Sequence, residues 1–274
     1  RLLSRGLGDV YKRQDKNTIY VKYSLNHGQN DGERLVNYTN IDENNETTSY
    51  SERLGIIDVP SYNHSLKAGW QKNFKKAGHT LDLDLNLGSY TSLADERLSQ
   101  DHYADQNIIA TDLQNTLSDN RFDTYLSKLD YVLPITDSTI FESGFHFTHR
   151  LGQIDFSSTS GQTAETMISD TLINNNFKYT QSVYAGYLTL SHQFGKLSVK
   201  GGLRAEQTNT LSHLITTDNR FVNDYFMLFP SAYVGYKFNE TTEIQLSYGK
   251  RINRPTHHQL NPVSYTHLTL PTKV

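Results

Sequence analysis

Eleven histidines and 29 carboxylates raise the question of a metal or acid–base site, and their spacing answers it. His257 and His258 are adjacent, so on a strand they would face opposite sides and could not hold one ion from one face. His146 and His149 have neither helical nor same-face strand spacing. "DENNE" (42–46) offers loop oxygens to calcium but lacks the glycine turn and ligand order of an EF-hand. "GKRINRP" (249–255) is a cationic cluster. It suits an anionic sugar or a lipopolysaccharide phosphate, but more often such a cluster is a solvated strand end or a lumenal ion pair. No His-Glu-x-x-His, Gly-x-Ser-x-Gly, phosphate-binding glycine loop or Cys/His zinc spacing occurs. The expectation is therefore no catalytic, cofactor-binding or metal-ligating residues, no cofactor, and no enzyme.

Whatever the polar residues do must then depend on the elements that carry them. The chain has 274 residues, a net charge of -3 and no cysteine. That excludes a disulfide framework and thiolate chemistry, and it supplies no basic footprint for nucleic acid. No apolar run approaches the roughly 18 residues of a transmembrane helix. The mean hydropathy of -0.61 would suggest a soluble protein, except in one class. A membrane β-barrel turns only alternate residues to lipid and carries long polar loops, so its mean hydropathy is low.

Period-two alternation dominates the sequence. In "LDLDLNLG" (81–88), Leu81, Leu83, Leu85 and Leu87 fall on one side of a strand, with Asp82, Asp84 and Asn86 on the other. On a helix those leucines would scatter around the axis. The pattern recurs in "TIYVKYSL" (18–25), "LSVKGGLRAE" (197–206), "SAYVGYKF" (231–238) and "TEIQLSYG" (242–249), and more weakly over 62–74, 123–133, 139–151 and 179–194. About nine strands are expected, and no helix.

The connections alternate. "KKAG" (75–78), "PITDS" (134–138), "GK" (195–196) and "NET" (239–241) read as tight turns. Between them lie long polar stretches at 27–60, 91–120, 152–176 and 207–225, which read as loops. A soluble sandwich has no reason to place every long loop at one end. An up-and-down membrane barrel does. The expected fold is all-β: an antiparallel up-and-down transmembrane barrel, incomplete in this chain. Leu81, Leu83, Leu85, Leu197, Val199, Leu203, Val234, Phe238, Ile244 and Leu246 should face lipid. Asp82, Asp84, Lys200, Arg204, Glu206 and Gln245 should face the lumen, because charge in hydrocarbon is costly.

The two ends are related to each other. "DVYKRQ" (9–14) back-translates to GATGTGTATAAGAGACAG, whose reverse complement, read two bases in, encodes "VSYTH" (263–267) and the start of a leucine codon. An inverted repeat of this kind is what a transposed sequencing adapter leaves. Residues 1–14 and 263–274 are therefore expected to be non-native tails around a barrel piece at 15–262, and they are set aside from fold reasoning.

Within 201–262 three segments resemble the outer membrane protein β-barrel family, which is similar to the barrels of TonB-dependent receptors. They are "GGLRAEQT" (201–208), "LFPSAYVGYKF" (228–238) and "LSYGKRINRPTHHQLNP" (246–262). The matching elements are Gly202, Leu203, Arg204 and Glu206; Leu228, Phe229, Pro230 and Ser231; and Arg251, Arg254, Pro255, Leu260, Asn261 and Pro262. The residues themselves suggest that Arg204 and Glu206 pair, that Gly201 and Gly202 relieve crowding, and that Pro230 begins a strand. The resemblance implies location in the outer membrane, contact with its lipid, an extracellular ligand of unknown identity, and a link to the TonB system through a plug region upstream. It implies a receptor or transporter for the parent protein. The alternative is a plug-less barrel or surface adhesin that binds without transport.

Overall fold

The computed structural model describes residues 3–13, 16–104, 106–171, 173–255 and 257–260, with backbone only for 3–13, 257 and 258. The chain after residue 260 lies outside the described residues, and with it the proposed tail at 263–274.

All strands join one antiparallel sheet. In chain order they are β1 (Leu3–Arg13), β2 (Asn17–Ile41), β3 (Thr47–Asn73), β4 (Thr80–Ala104), β5 (Asn107–Pro134), β6 (Thr139–Gly161), β7 (Ile168–Ser169), β8 (Asn175–Phe194), β9 (Leu197–Leu214), β10 (Asn219–Lys237) and β11 (Glu243–Gly249). Each pairs with its neighbour in sequence, except that the two-residue β7 lies beside β6 and leaves β6 to pair with β8. The sheet is open, with β1 and β11 at its edges. This is the incomplete up-and-down barrel wall that the alternation predicted. Every expected strand is present, and the addition along the main path is β1. That strand falls within the proposed tail at 1–14 and pairs through its backbone with β2.

The four tight turns stand where expected, at one end of the sheet. Phe74 N–H donates to His79 O at 2.9 Å, Ile135 N–H to Thr139 O at 2.8 Å, and Phe238 N–H to Thr242 O at 3.0 Å. Gly78 (φ 73°) and Gly195 (φ 57°) take the left-handed conformation that these turns require.

At the other end the expectation of long loops is corrected. The polar stretch at 27–60 is mostly strand: β2 and β3 pair without interruption from Asn17↔Lys72 to Asn40↔Ser49 and reverse at residues 42–46. Likewise β4 and β5 pair up to Ala104↔Asn107. Of the stretches at 152–176 and 207–225, only 162–174 and 215–218 depart substantially from the ladder. These residues lack apolar alternation because neither face there has to be apolar. Backbone ladders and polar pairs such as Asn40–Ser49 and Arg53–Gln100 hold the hairpins, and those are invisible to a hydrophobic pattern.

One further expectation fails. Residues 250–255 are not strand, and His257–Leu260 form a single helical turn. The argument that His257 and His258 face opposite sides of a strand therefore does not apply.

Candidate functional site on the polar face

Because directly paired residues share a face, the register sorts every side chain. One row runs Ile19, Trp70, Leu83, Leu129, Phe145, Gly186, Ala205, Leu228. Leu81, Leu85, Leu197, Val199, Leu203, Val234, Ile244 and Leu246 lie on that same face. Phe238, just beyond β10, stacks edge-on against Tyr236 of this face at 4.9 Å. Asp82, Asp84, Lys200, Arg204, Glu206 and Gln245 all lie on the opposite face. The two sets are separated as the alternation required. The apolar face is also bare: Leu188 is 54% and Leu246 75% exposed. An apolar surface this wide needs a covering phase.

The polar face carries a connected network. Asp130 is its first hub. It pairs with Lys128 on its own strand, accepts Tyr187 Oη at 2.7 Å, and lies 3.3 Å from His146 Nε2. Arg204 Nη1 donates to His146 Nδ1 at 3.2 Å. An arginine can only donate, so Nδ1 is the acceptor and the ring proton sits on Nε2, facing Asp130. Arg204 Nε also donates to Glu206 at 2.5 Å, which is the pairing expected from sequence. Glu206 is the second hub, because Arg254 reaches its other oxygen. Arg254 also donates to Tyr225 Oη at 3.2 Å and Thr208 Oγ1 at 3.4 Å. A separate pair joins Lys200 to Glu142 at 2.5 Å. Such charge-assisted bonds tie β5, β6, β8, β9 and β10 together in one register.

Two tyrosines reach their aspartates by the same device. Tyr20 lies over Gly69 and donates to Asp84 Oδ1 at 2.6 Å. Tyr187 lies over Gly144 and donates to Asp130. A Cβ at Gly69 would sit 2.2 Å from the Tyr20 ring, and one at Gly144 2.5 Å from the Tyr187 ring. Glycine on the middle strand of each row is what lets a ring cross one strand to the next. Gly202 is similarly crowded, by Ser231 and Thr189, whereas Gly201 faces open space. The expectation of crowding holds for the first and not for the second.

The remaining candidates are dispersed. His149 faces the apolar side, at 2.8 Å from Ser182 Oγ, and His146 the polar side. Asp42 Oδ1 is occupied by its own turn, accepting Asn44 N–H and Glu46 N–H at 2.8 Å each. In "GKRINRP" the ion-pair reading holds for Arg254. Pro230 lies inside β10 rather than at its start, and its missing N–H falls on the β11 side, so the β9 ladder is intact. Sequence reasoning missed the Glu206–Arg254 pair, which spans 48 residues. Both partners stood in its quoted motifs, but nothing local signalled that they meet.

The description "Outer membrane protein beta-barrel family" matches residues 72–268. No curated protein matches the chain in sequence. Among solved structures, the ferric citrate transporter FecA in its unliganded form aligns with a TM-score of 0.37 and 9% identity, over 86% of this chain and 42% of that one. The ferric yersiniabactin uptake receptor FyuA from Yersinia pestis gives 0.35 and 9%, over 87% and 45%. The chain thus spans less than half the length of either, and at this overlap neither bears on what it carries. The family match covers well over half of the chain and agrees with the sheet's order, register and two-faced surface: the chain belongs to the outer membrane protein beta-barrel family, and its place is the outer membrane.

Proposed function

We propose that this chain is part of the wall of a receptor or transporter resembling the TonB-dependent receptors, which captures a solute outside the cell and passes it along the polar face. The observation that carries this reading is the ion-paired polar wall backed by a mostly apolar face. In an outer-membrane barrel the apolar face meets lipid and the wall lines the lumen. Among the described residues of the wall no nucleophile is poised beside a general base, and the reading is one of binding and passage. The lipid is one partner. An extracellular ligand and, through a plug region upstream, the TonB system are the others.

Uptake by the full-length parent, compared with and without a working TonB system, tests this. Uptake lost with ligand binding retained is the expected result. Binding that never leads to uptake in either background would favour an adhesin, a reading the long projecting hairpins also suit. The chain alone in buffer should aggregate through its open edges and bare apolar face. A soluble monomer that unfolds cooperatively would mean that the apolar face is covered from within, as in a sandwich.

A further inference from the structure

β11 stops at Gly249, although β10 extends from Pro230 back to Asn219 beyond the last paired residue. Pro230 accounts for the stop. Lys250 N–H donates to Pro230 O at 3.2 Å, but the return bond that completes an antiparallel rung needs an N–H that proline lacks. The chain leaves the ladder there and stays on the polar face. Arg254 reaches Glu206, Thr208 and Tyr225. Further on, Leu260 packs against Ile154, Phe177 and Tyr179, the buried apolar cluster on the polar side of β6 and β8.

Burial alternates along this segment. Ile252 and Arg254 are half-buried, while Arg251, Asn253 and Pro255 are exposed. That is an extended run with one side on the wall and the other off it. In the rows it crosses, Gln181, Thr208 and Thr210 are buried, and Thr208 is 0% exposed. On the other half of the same face, Lys22, Lys67 and Asn63 are exposed. Lys22 and Lys67 are direct cross-strand partners. Like charges so placed are unfavourable on their own, and an anionic group between them would relieve the repulsion.

We propose that residues 250–255, continued by the turn at 257–260, form an internal strap, with Arg254 as its positioning residue. The strap closes off the β6–β9 half of the lumenal wall and leaves the β2–β4 half as the surface a passing solute meets. The inference rests on the reading that the polar face lines a solute path. The open half offers ammonium, amide and hydroxyl groups from Lys22, Lys67, Asn63, Asn86 and Ser65, beside the carboxylates of Asp82 and Asp84, so the acceptor end of a solute goes to the lysine pair. A solute that suits it is hydrophilic and rich in acceptor oxygens of carboxylate, phosphate or polyol type.

This chain has no cysteine, so single cysteines placed in it within the full-length parent, any cysteine elsewhere being replaced, can be followed in the outer membrane with a charged, aqueous thiol reagent. Asn63→Cys should react quickly and Thr210→Cys slowly. Adding Arg254→Ala should speed Thr210→Cys by about tenfold, as local opening exposes it, and leave Asn63→Cys unchanged. Glu206→Gln is a second, gentler way to release the strap and should act in the same direction. Thr210→Cys reacting as fast as Asn63→Cys with the strap intact would overturn the proposal. So would protection that survives both releases. This readout needs no transported solute, so it stands apart from whether the parent transports. For the solute class, inorganic phosphate is the probe: it should slow labelling of Ser65→Cys, and stop doing so when Lys22 and Lys67 are both alanine. Labelling indifferent to phosphate would remove the solute class.

Discussion

Near the tight turns, a single step along a strand changes everything. The row of Leu83 contains Trp70, Leu129 and Phe145, and the next row, that of Asp84, contains Tyr20, Lys128, His146 and Glu206. In the far hairpins the same step changes little. Glu33, Ile56, Arg97, Asn115 and Thr159 share one side, and Gly32, Ile57, Glu96, Thr116 and Ser158 the other. Both regions belong to one continuous ladder. A membrane crossing takes roughly 9–11 residues of a tilted strand, whereas β5 has 28, which at a rise of about 3.3 Å per residue is on the order of 90 Å. Most of each long hairpin therefore stands in water. Lipid on one side forces the faces apart, and water on both sides imposes no such demand.

The largest expected effect breaks that contrast at its strongest point. Leu83→Arg puts a charge on the lipid side of the band and should destabilise the inserted protein by about 2–4 kcal/mol, measured by urea titration in vesicles. A loss no larger than that of a hairpin substitution would mean that this face does not meet hydrocarbon. Next comes Gly144→Val, whose branched Cβ must displace Tyr187 from Asp130. Overpacking of this kind costs about 1–3 kcal/mol. If the cost came instead from the Leu129 carbonyl, 2.6 Å from the same Cβ, the same loss would persist with Tyr187→Ala as the reference, and in that case the tyrosine crossing is not what Gly144 serves. Leu54→Arg lies on the same face as Leu83 but far out on the β2–β3 hairpin, so a change within about 0.5 kcal/mol is expected. A large loss there would extend the lipid band well beyond the region of the tight turns.

The smallest effect is at the tip. The Glu46 N–H, with Asn44 behind it, holds the Asp42 carboxyl below its usual range. A depressed carboxyl contributes its turn bonds in full above the ordinary aspartate range and loses them as pH falls through the lowered value. Protection of the Glu46 N–H, taken relative to the intrinsic exchange rate at each pH, should fall only in that acidic window, and Asp42→Ala should remove it at neutral pH without moving the unfolding midpoint. Exchange that is already fast at neutral pH would show that the turn is not held by Asp42.

The alternation of Leu81 to Leu87 with Asp82 to Asn86 determined, by itself, that these residues form a strand with two unlike faces, because only a period of two puts all the leucines together. Turn residues such as Gly78 and Gly195 likewise announced the tight end, since few other residues take a positive φ cheaply. The sequence also contained the Arg204–Glu206 pair, two positions apart on one strand. The extent of the hairpins was decided only by the tertiary structure. Asn30 to Ile41 carry no apolar period, and their strand character comes from a partner segment supplying backbone groups across the ladder. The meeting of Arg254 with Glu206 was decided there too. It depends on Pro230 ending the β11 ladder at Lys250 and on the chain then crossing the wall. That outcome belongs to neighbouring strands in space, which a one-dimensional pattern does not encode.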